Sequence, residues 1–154
     1  MPDLLVRLYN LPAEAEPALG IRRAFSAERD LICAWVAENF NRSWASECAG
    51  CFGGGRPTCF VAVEDAQLAG FACYDTTARG IFGPIGVGEA ARKRGLGRAL
   101  LFAALRDMAA AGYAYAVIGW AAEDSLAFYQ KAVDAIEIPE STPGFYRGML
   151  KADA

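Results

Sequence analysis

The chain has 154 residues with a formal net charge of −3, 55% hydrophobic and 21% charged, the balance of one globular unit and not of a disordered chain. It contains no histidine, which excludes Ser-His-Asp triads, Cys-His nucleophile pairs and imidazole metal sites together. The acidic balance makes nucleic acid an unexpected partner. The longest apolar region, Ala99 to Trp120, is broken by Arg106 and Asp107, so no membrane span is expected.

Met1 to Asn10 carries Asp3 and Arg7 and lacks the apolar run of a secretory leader. With five cysteines, not an even set, a reducing cytoplasmic setting is expected. Leu4 to Tyr9 alternates enough for an edge strand, Leu11 to Pro17 is irregular, and Ile21 to Ala24 reads as a second short strand. Ser26 is placed to cap a helix from about Ala27 to Phe40, and a shorter helix covers Ser43 to Phe52, stopped by three glycines. Thr58 to Val63 and Leu68 to Tyr74 form a predicted hairpin turning through Glu64 to Gln67. Gly80 to Val87 is a further strand, interrupted by Gly83-Pro84 and Gly86. Proline cannot donate to a ladder, so pairing has to fail there.

Ala91 to Ala111 is helical over most of its length, with Leu101, Leu105 and Met108 at core spacing and Gly112 placed to stop it. Tyr113 to Trp120 is apolar on both faces and reads as a central strand. A helix from Asp124 or Ser125 to about Val133 follows, then two strands, Ala135 to Ile138 and Phe145 to Leu150. The strand–helix–strand step makes one neighbouring pair parallel, so the class is α/β (α+β) with a mixed sheet. Cys48-x-x-Cys51 has the form of half a zinc site, with Cys59 and Cys73 as further candidates. The second pair lacks the close spacing of such sites, so the cysteines read as small buried side chains and no metal is expected.

Most of the chemical information lies between Gly86 and Leu101. A strand end enters a loop carrying Arg92, Lys93 and Arg94, and Gly95 and Gly97 open a long helix. Two glycines there cost helix stability, roughly 1 kcal/mol each against alanine, which makes sense where a ligand must approach the backbone. The helix start offers free N–H groups and the positive end of its dipole, and the basic residues with Arg98 add charge, so the segment reads as an anion cradle suited to a pyrophosphate. A P-loop would need a Gly-Lys-Ser/Thr ending that is absent. Gly86-x-Gly88-x-x-Ala91 matches a dinucleotide fingerprint nominally, but Ala110 to Gly112 stands where its acidic residue is required.

These residues resemble the GNAT-type N-acetyltransferase superfamily. Arg92-x-x-Gly95-x-Gly97 fits the family's acyl-CoA loop, Gln/Arg-x-x-Gly-x-Gly/Ala, and Leu126 to Lys131 is similar to its second signature, with Tyr129 as the tyrosine. The resemblance covers Ile21 to Leu150, leaving Leu4 to Tyr9 as an added strand on a single domain spanning residues 1–154. It implies a mostly antiparallel sheet in which a parallel strand pair splays apart, with acetyl-CoA as cosubstrate in the gap. Ile85, Gly86 and Val87 would line the pantetheine arm, and Arg92, Lys93, Arg94, Gly95, Leu96, Gly97 and Arg98 would hold the pyrophosphate. The N–H of Val87 would polarise the thioester carbonyl, and Tyr129 would serve the departing thiolate as general acid. Ala122 stands where the family often has Asn, and Val133-Asp134 replaces a usual Gly-Phe, which implies a divergent acceptor side.

A base for the incoming ammonium must be a carboxylate, since no imidazole exists. Asp75 is the first choice by position, with Glu123, Glu47 and Glu64 behind it. Trp44, Tyr74, Trp120, Phe145 and Tyr146 are available to line an acceptor pocket. The expected activity is direct attack of a small-molecule or peptide amine on acetyl-CoA, and the alternative is a CoA-binding regulatory or interaction module without catalysis. A homodimer through the terminal strands fits either reading.

Overall fold

The computed structural model describes residues 1–13 and 20–151, so residues 14–17 of the irregular stretch expected from Leu11 to Pro17 lie outside the described residues. Strands β1 (Leu4–Arg7) and β2 (Ile21–Arg23) precede helices α1 (Arg29–Asn39) and α2 (Arg42–Ala49). Then come β3 (Cys59–Glu64), β4 (Gln67–Tyr74), β5 (Ile81–Val87), α3 (Leu96–Ala110), β6 (Tyr115–Ile118), α4 (Leu126–Val133) and β7 (Ile136–Glu137). The sheet runs β2-β3-β4-β5-β6-β1-β7. Only β5–β6 pair in parallel among the described residues, so the mixed, mostly antiparallel architecture is as expected. The β3–β4 hairpin turns on Asp65 and Ala66, both at positive φ, the two-residue turn whose twist matches its strands.

Each face of the sheet carries its own core. Alternation along β3 and β4 sends Cys59, Val61, Phe71 and Cys73 to the side of α1 and α2, where they meet Ile32 and Val36. Ala62 and Ala72 face the other side with Phe82, Val6 and Ala116, under Leu100, Leu101, Leu105 and Met108 of α3. Arg23 of β2 clamps this helix by an ion pair to Asp107, whose Oδ2 also accepts from the Tyr74 hydroxyl at 2.5 Å. Tyr74 is therefore a buried strut and not a pocket wall.

Four expectations are corrected. The first strand ends at Arg7 and is not at an edge: β1 lies between β6 and β7, antiparallel to both, because its alternating Leu4 and Val6 are fully buried. Residues 145–150 form turns and no strand. The long helix starts at Leu96 and not near Ala91, since Gly95 at φ +77° and Lys93 at φ +67° break the helical path. Ser26 caps nothing with its side chain; it opens a single 3-10 turn, Ser26–Glu28, where the Glu28 carboxylate accepts from the Phe25 N–H. Among the described residues no helix is long and apolar enough to cross a membrane.

Candidate functional site

Strand β5 is held on one edge only over half its length. It meets β6 at Ile81 and Phe82, then continues beside β4 alone, with Ile85, Gly86 and Val87 opposite Ala72, Phe71 and Gly70. The splay begins at Gly83-Pro84, where proline has no N–H to offer. The Gly88 N–H donates to the Ala69 carbonyl at 2.8 Å, and successive strand N–H groups point to opposite edges. The N–H groups of Val87 and Ile85 therefore face the open edge. The Val87 carbonyl faces it too and accepts from Arg92 Nε at 3.1 Å. Gly86 has a packing reason to be glycine: a Cβ would lie 2.5 Å from the Phe40 ring.

A cavity of about 690 Å³ follows this open edge. Phe82 to Val87 form its floor, Arg92 and Gly97 close one end, and Ser125, Phe128 and Tyr129 form a wall. The other end is made by Ser43, Trp44 and Glu47 of α2, Trp120 after β6, and Tyr146 and Met149. Beside the first end, the turn at Gly95 delivers the start of α3, whose leading N–H groups have no acceptor within the helix. A Cβ on Gly97 would meet only Val87 Cγ2, at 3.7 Å, so the protein's own packing does not demand glycine there.

The structure thus brings Ile85, Gly86, Val87, Arg92, Gly97 and Tyr129 to one cavity. The remaining loop residues do not line it. Arg94 pairs with Glu64 at 2.6 Å, Leu96 is buried in the core, and the Arg98 guanidinium lies over the Phe102 ring at 4.8 Å. Lys93 and Gly95 shape the loop through their positive φ.

The Tyr129 ring is buried and its hydroxyl has no hydrogen-bond partner among the described residues. Among the described residues no fully buried side-chain polar atom is left unpaired, so that hydroxyl opens into the cavity. Burial pushes its pKa up to about 12.

Asp75 does not line the cavity. Its carboxylate accepts from the Gly80 N–H at 2.7 Å and the Tyr113 hydroxyl at 2.6 Å, locking the β4–β5 connection. Glu47 is the carboxylate that does. Its Oε1 accepts from Thr77 at 2.6 Å and Tyr146 at 3.0 Å, while Oε2 has no partner among the described residues. Burial, reinforced by the Glu47 charge, pushes Tyr146 up to about 12, so it stays a neutral donor. Trp120 stacks on Tyr146 with centroids 5.4 Å apart.

Two features have no local sequence signal. Met149 lines the cavity from a segment without a motif. Asp3, buried just before β1, fixes the Trp120 end of the cavity: its Oδ1 accepts from the Trp120 N–H at 2.8 Å and its Oδ2 from the Phe145 N–H at 2.7 Å. Gly144 makes room for it, since a Cβ there would lie 2.6 Å from Asp3 Oδ1.

A splayed parallel pair feeding a glycine-opened helix defines a class, and the chain matches the model of the acetyltransferase (GNAT) family over residues 8–134. The chain belongs to that family. No curated protein matches it. Among solved structures, a GCN5-related N-acetyltransferase from Sphaerobacter thermophilus superposes with a TM-score of 0.70 at 20% identity, over 89% of this chain and 48% of that one. The GCN5-related glucosamine N-acetyltransferase region of a fungal multi-domain GH3 β-N-acetylglucosaminidase gives 0.70 at 16%, over 89% and 19%. The Escherichia coli GNAT protein YhbS, solved with CoA, gives 0.52 at 24%, over 66% and 63%. The chain spans about a fifth and about half of the first two structures it resembles, and these likenesses show the fold.

Proposed function

We propose that the chain transfers an acetyl group from acetyl-CoA to a primary amine by direct attack in a ternary complex. The observation that carries this reading is the free edge of β5, where the Ile85 and Val87 N–H groups share one cavity with the start of α3. That edge can pair with the amides of a pantetheine arm, and the helix start with Arg92 can take a pyrophosphate. The CoA bound by YhbS supports the same use of the fold here.

Glu47 replaces Asp75 as the base. Its free Oε2 receives a proton from the ammonium, and the freed nitrogen attacks the thioester carbon. The Val87 N–H stabilises the oxyanion that forms; the nitrogen then gives up its second proton to solvent as the C–S bond breaks to release the CoA thiolate. A phenol at about 12 is a weaker acid than a thiol at about 8.5. Tyr129 therefore holds the thiolate by a hydrogen bond, and the proton that finally neutralises the thiolate comes from solvent. Trp44, Trp120 and Tyr146 line the cavity together with Glu47, and aromatic faces in such a cavity favour an ammonium over a neutral polar group.

The test is acetyl-CoA-dependent thiol release across a panel of primary amines. Turnover with at least one amine supports the reading. Saturable acetyl-CoA binding with no turnover on any amine would turn the reading to a CoA-binding module.

A further inference from the structure

All five cysteines occupy one place in the fold, on the face of the sheet away from α3. Cys33 comes from α1, Cys48 from the end of α2, Cys51 from the 3-10 turn Gly50–Phe52, Cys59 from β3 and Cys73 from β4. All are free thiols; Cys33 is half-buried and the other four are buried. The Sγ atoms of Cys48, Cys59 and Cys73 lie within 4.8 Å of one another. The Cys51 thiol interacts with that of Cys73, and the Cys33 thiol with that of Cys48. Core packing needs small apolar side chains here, which alanine or valine would supply; it does not need every cysteine of the chain in one cluster.

Tetrahedral zinc with Zn–S bonds near 2.3 Å places its sulfurs roughly 3.8 Å apart. The sulfurs of Cys48, Cys59 and Cys73 reach that spacing by closing at most about 1 Å, within the reach of side-chain adjustment. Sequence spacing argued against such a site because Cys59 and Cys73 are far apart in the chain. The β3–β4 hairpin sets them directly opposite each other and supplies the missing second pair.

We propose that Cys48, Cys51, Cys59 and Cys73 form a binding site for a soft divalent cation, zinc(II), with Cys33 outside the ligand set. Binding exchanges four S–H bonds for four Zn–S bonds and releases four protons to solvent, so affinity falls as the pH falls. The ion would tie the end of α2 to the β3–β4 hairpin, one residue from Glu47, and would act structurally with no open position for chemistry.

The experiment is titration of the reduced, metal-free protein with cobalt(II), followed by zinc(II). One cobalt per chain, with thiolate charge-transfer absorption and the intense visible bands of tetrahedral coordination, supports the site, as does bleaching by one zinc. Cys33→Ala should keep that spectrum and Cys59→Ala should lose it. If Cys59→Ala does not fold, the stoichiometry and spectrum of the unaltered chain still decide. Absence of the cobalt spectrum and of any zinc-induced rise in Tm overturns the proposal. So does a Cys59–Cys73 disulfide as the resting form, since the two face each other at a non-hydrogen-bonded pair flanked by the Tyr74 N–H to Thr58 carbonyl bond.

Discussion

The end of the cleft that suits a cofactor is drawn from one stretch of chain, Phe82 to Gly97, with Tyr129 facing it. The other end, the proposed acceptor site, is assembled from Ser43 to Glu47, Trp120 and Tyr146 to Met149, segments more than a hundred residues apart at their extremes. The first depends on backbone: two strand N–H groups, a helix start and a glycine without a packing role. The second depends on side chains held by other side chains, with Thr77 and Tyr146 on Glu47 and Asp3 under Trp120 and Phe145. Backbone geometry can stay constant while sequence drifts, and a side-chain assembly can change its partner one residue at a time. A conserved cofactor with a private acceptor is the natural outcome of such a division.

Changes confined to one end should leave the other intact. Gly97→Glu should have the largest effect, loss of measurable acetyl-CoA binding in calorimetry with an unchanged circular dichroism spectrum, because its Cβ has room but its carboxylate would fill the cleft. Glu47→Gln should lower kcat about 10²-fold or more while the Kd for acetyl-CoA stays put; an equal loss in both would place Glu47 with the cofactor. Tyr129→Phe should lower kcat about tenfold to a hundredfold, the worth of a hydrogen bond to a charged group.

Tyr129 also makes a pH prediction. Its folded pKa of about 12 lies above the unfolded value near 10. The stability it contributes is complete below about pH 10 and is lost as the pH rises towards 12. Denaturation of Tyr129→Phe should therefore show a shallower alkaline fall than the unaltered chain. The smallest effect on turnover is expected for Asp3→Asn, which presents an NH₂ group to one of two N–H donors. It should cost about 1–3 kcal/mol of stability and raise KM for the amine several-fold, with no change in acetyl-CoA affinity.

The contrast between the two ends also explains what was legible in the sequence. Gly83-Pro84 announced the splay, and Arg92-x-x-Gly95-x-Gly97 announced the loop, because each acts through local backbone properties that residue type dictates. Tyr129 came from the resemblance of Leu126 to Lys131 to the family's second signature. Asp75 looked like the base because it follows a strand near an aromatic, but a positive φ of 60° and two hydrogen bonds turn its carboxylate into the β4–β5 connection. Glu47 sits on a helix with no motif, and only the approach of α2 to residues 77 and 146 singles it out. The first strand was misplaced for a similar reason: alternation shows that one face of Leu4 to Arg7 is buried, and cannot show which strands flank it. The cysteines were weighed by their spacing along the chain, whereas their grouping is a property of the hairpin and the helix pair.

The central claim is that the open edge of β5 and the start of α3 receive acetyl-CoA together. Amide NMR on the ¹⁵N-labelled chain titrated with acetyl-CoA tests it residue by residue. The account predicts saturable shifts at Ile85, Val87, Gly97 and Arg98, with Ile21 to Arg23 on the far edge of the sheet unmoved. Saturation that leaves the Val87 and Gly97 amides unshifted would contradict it.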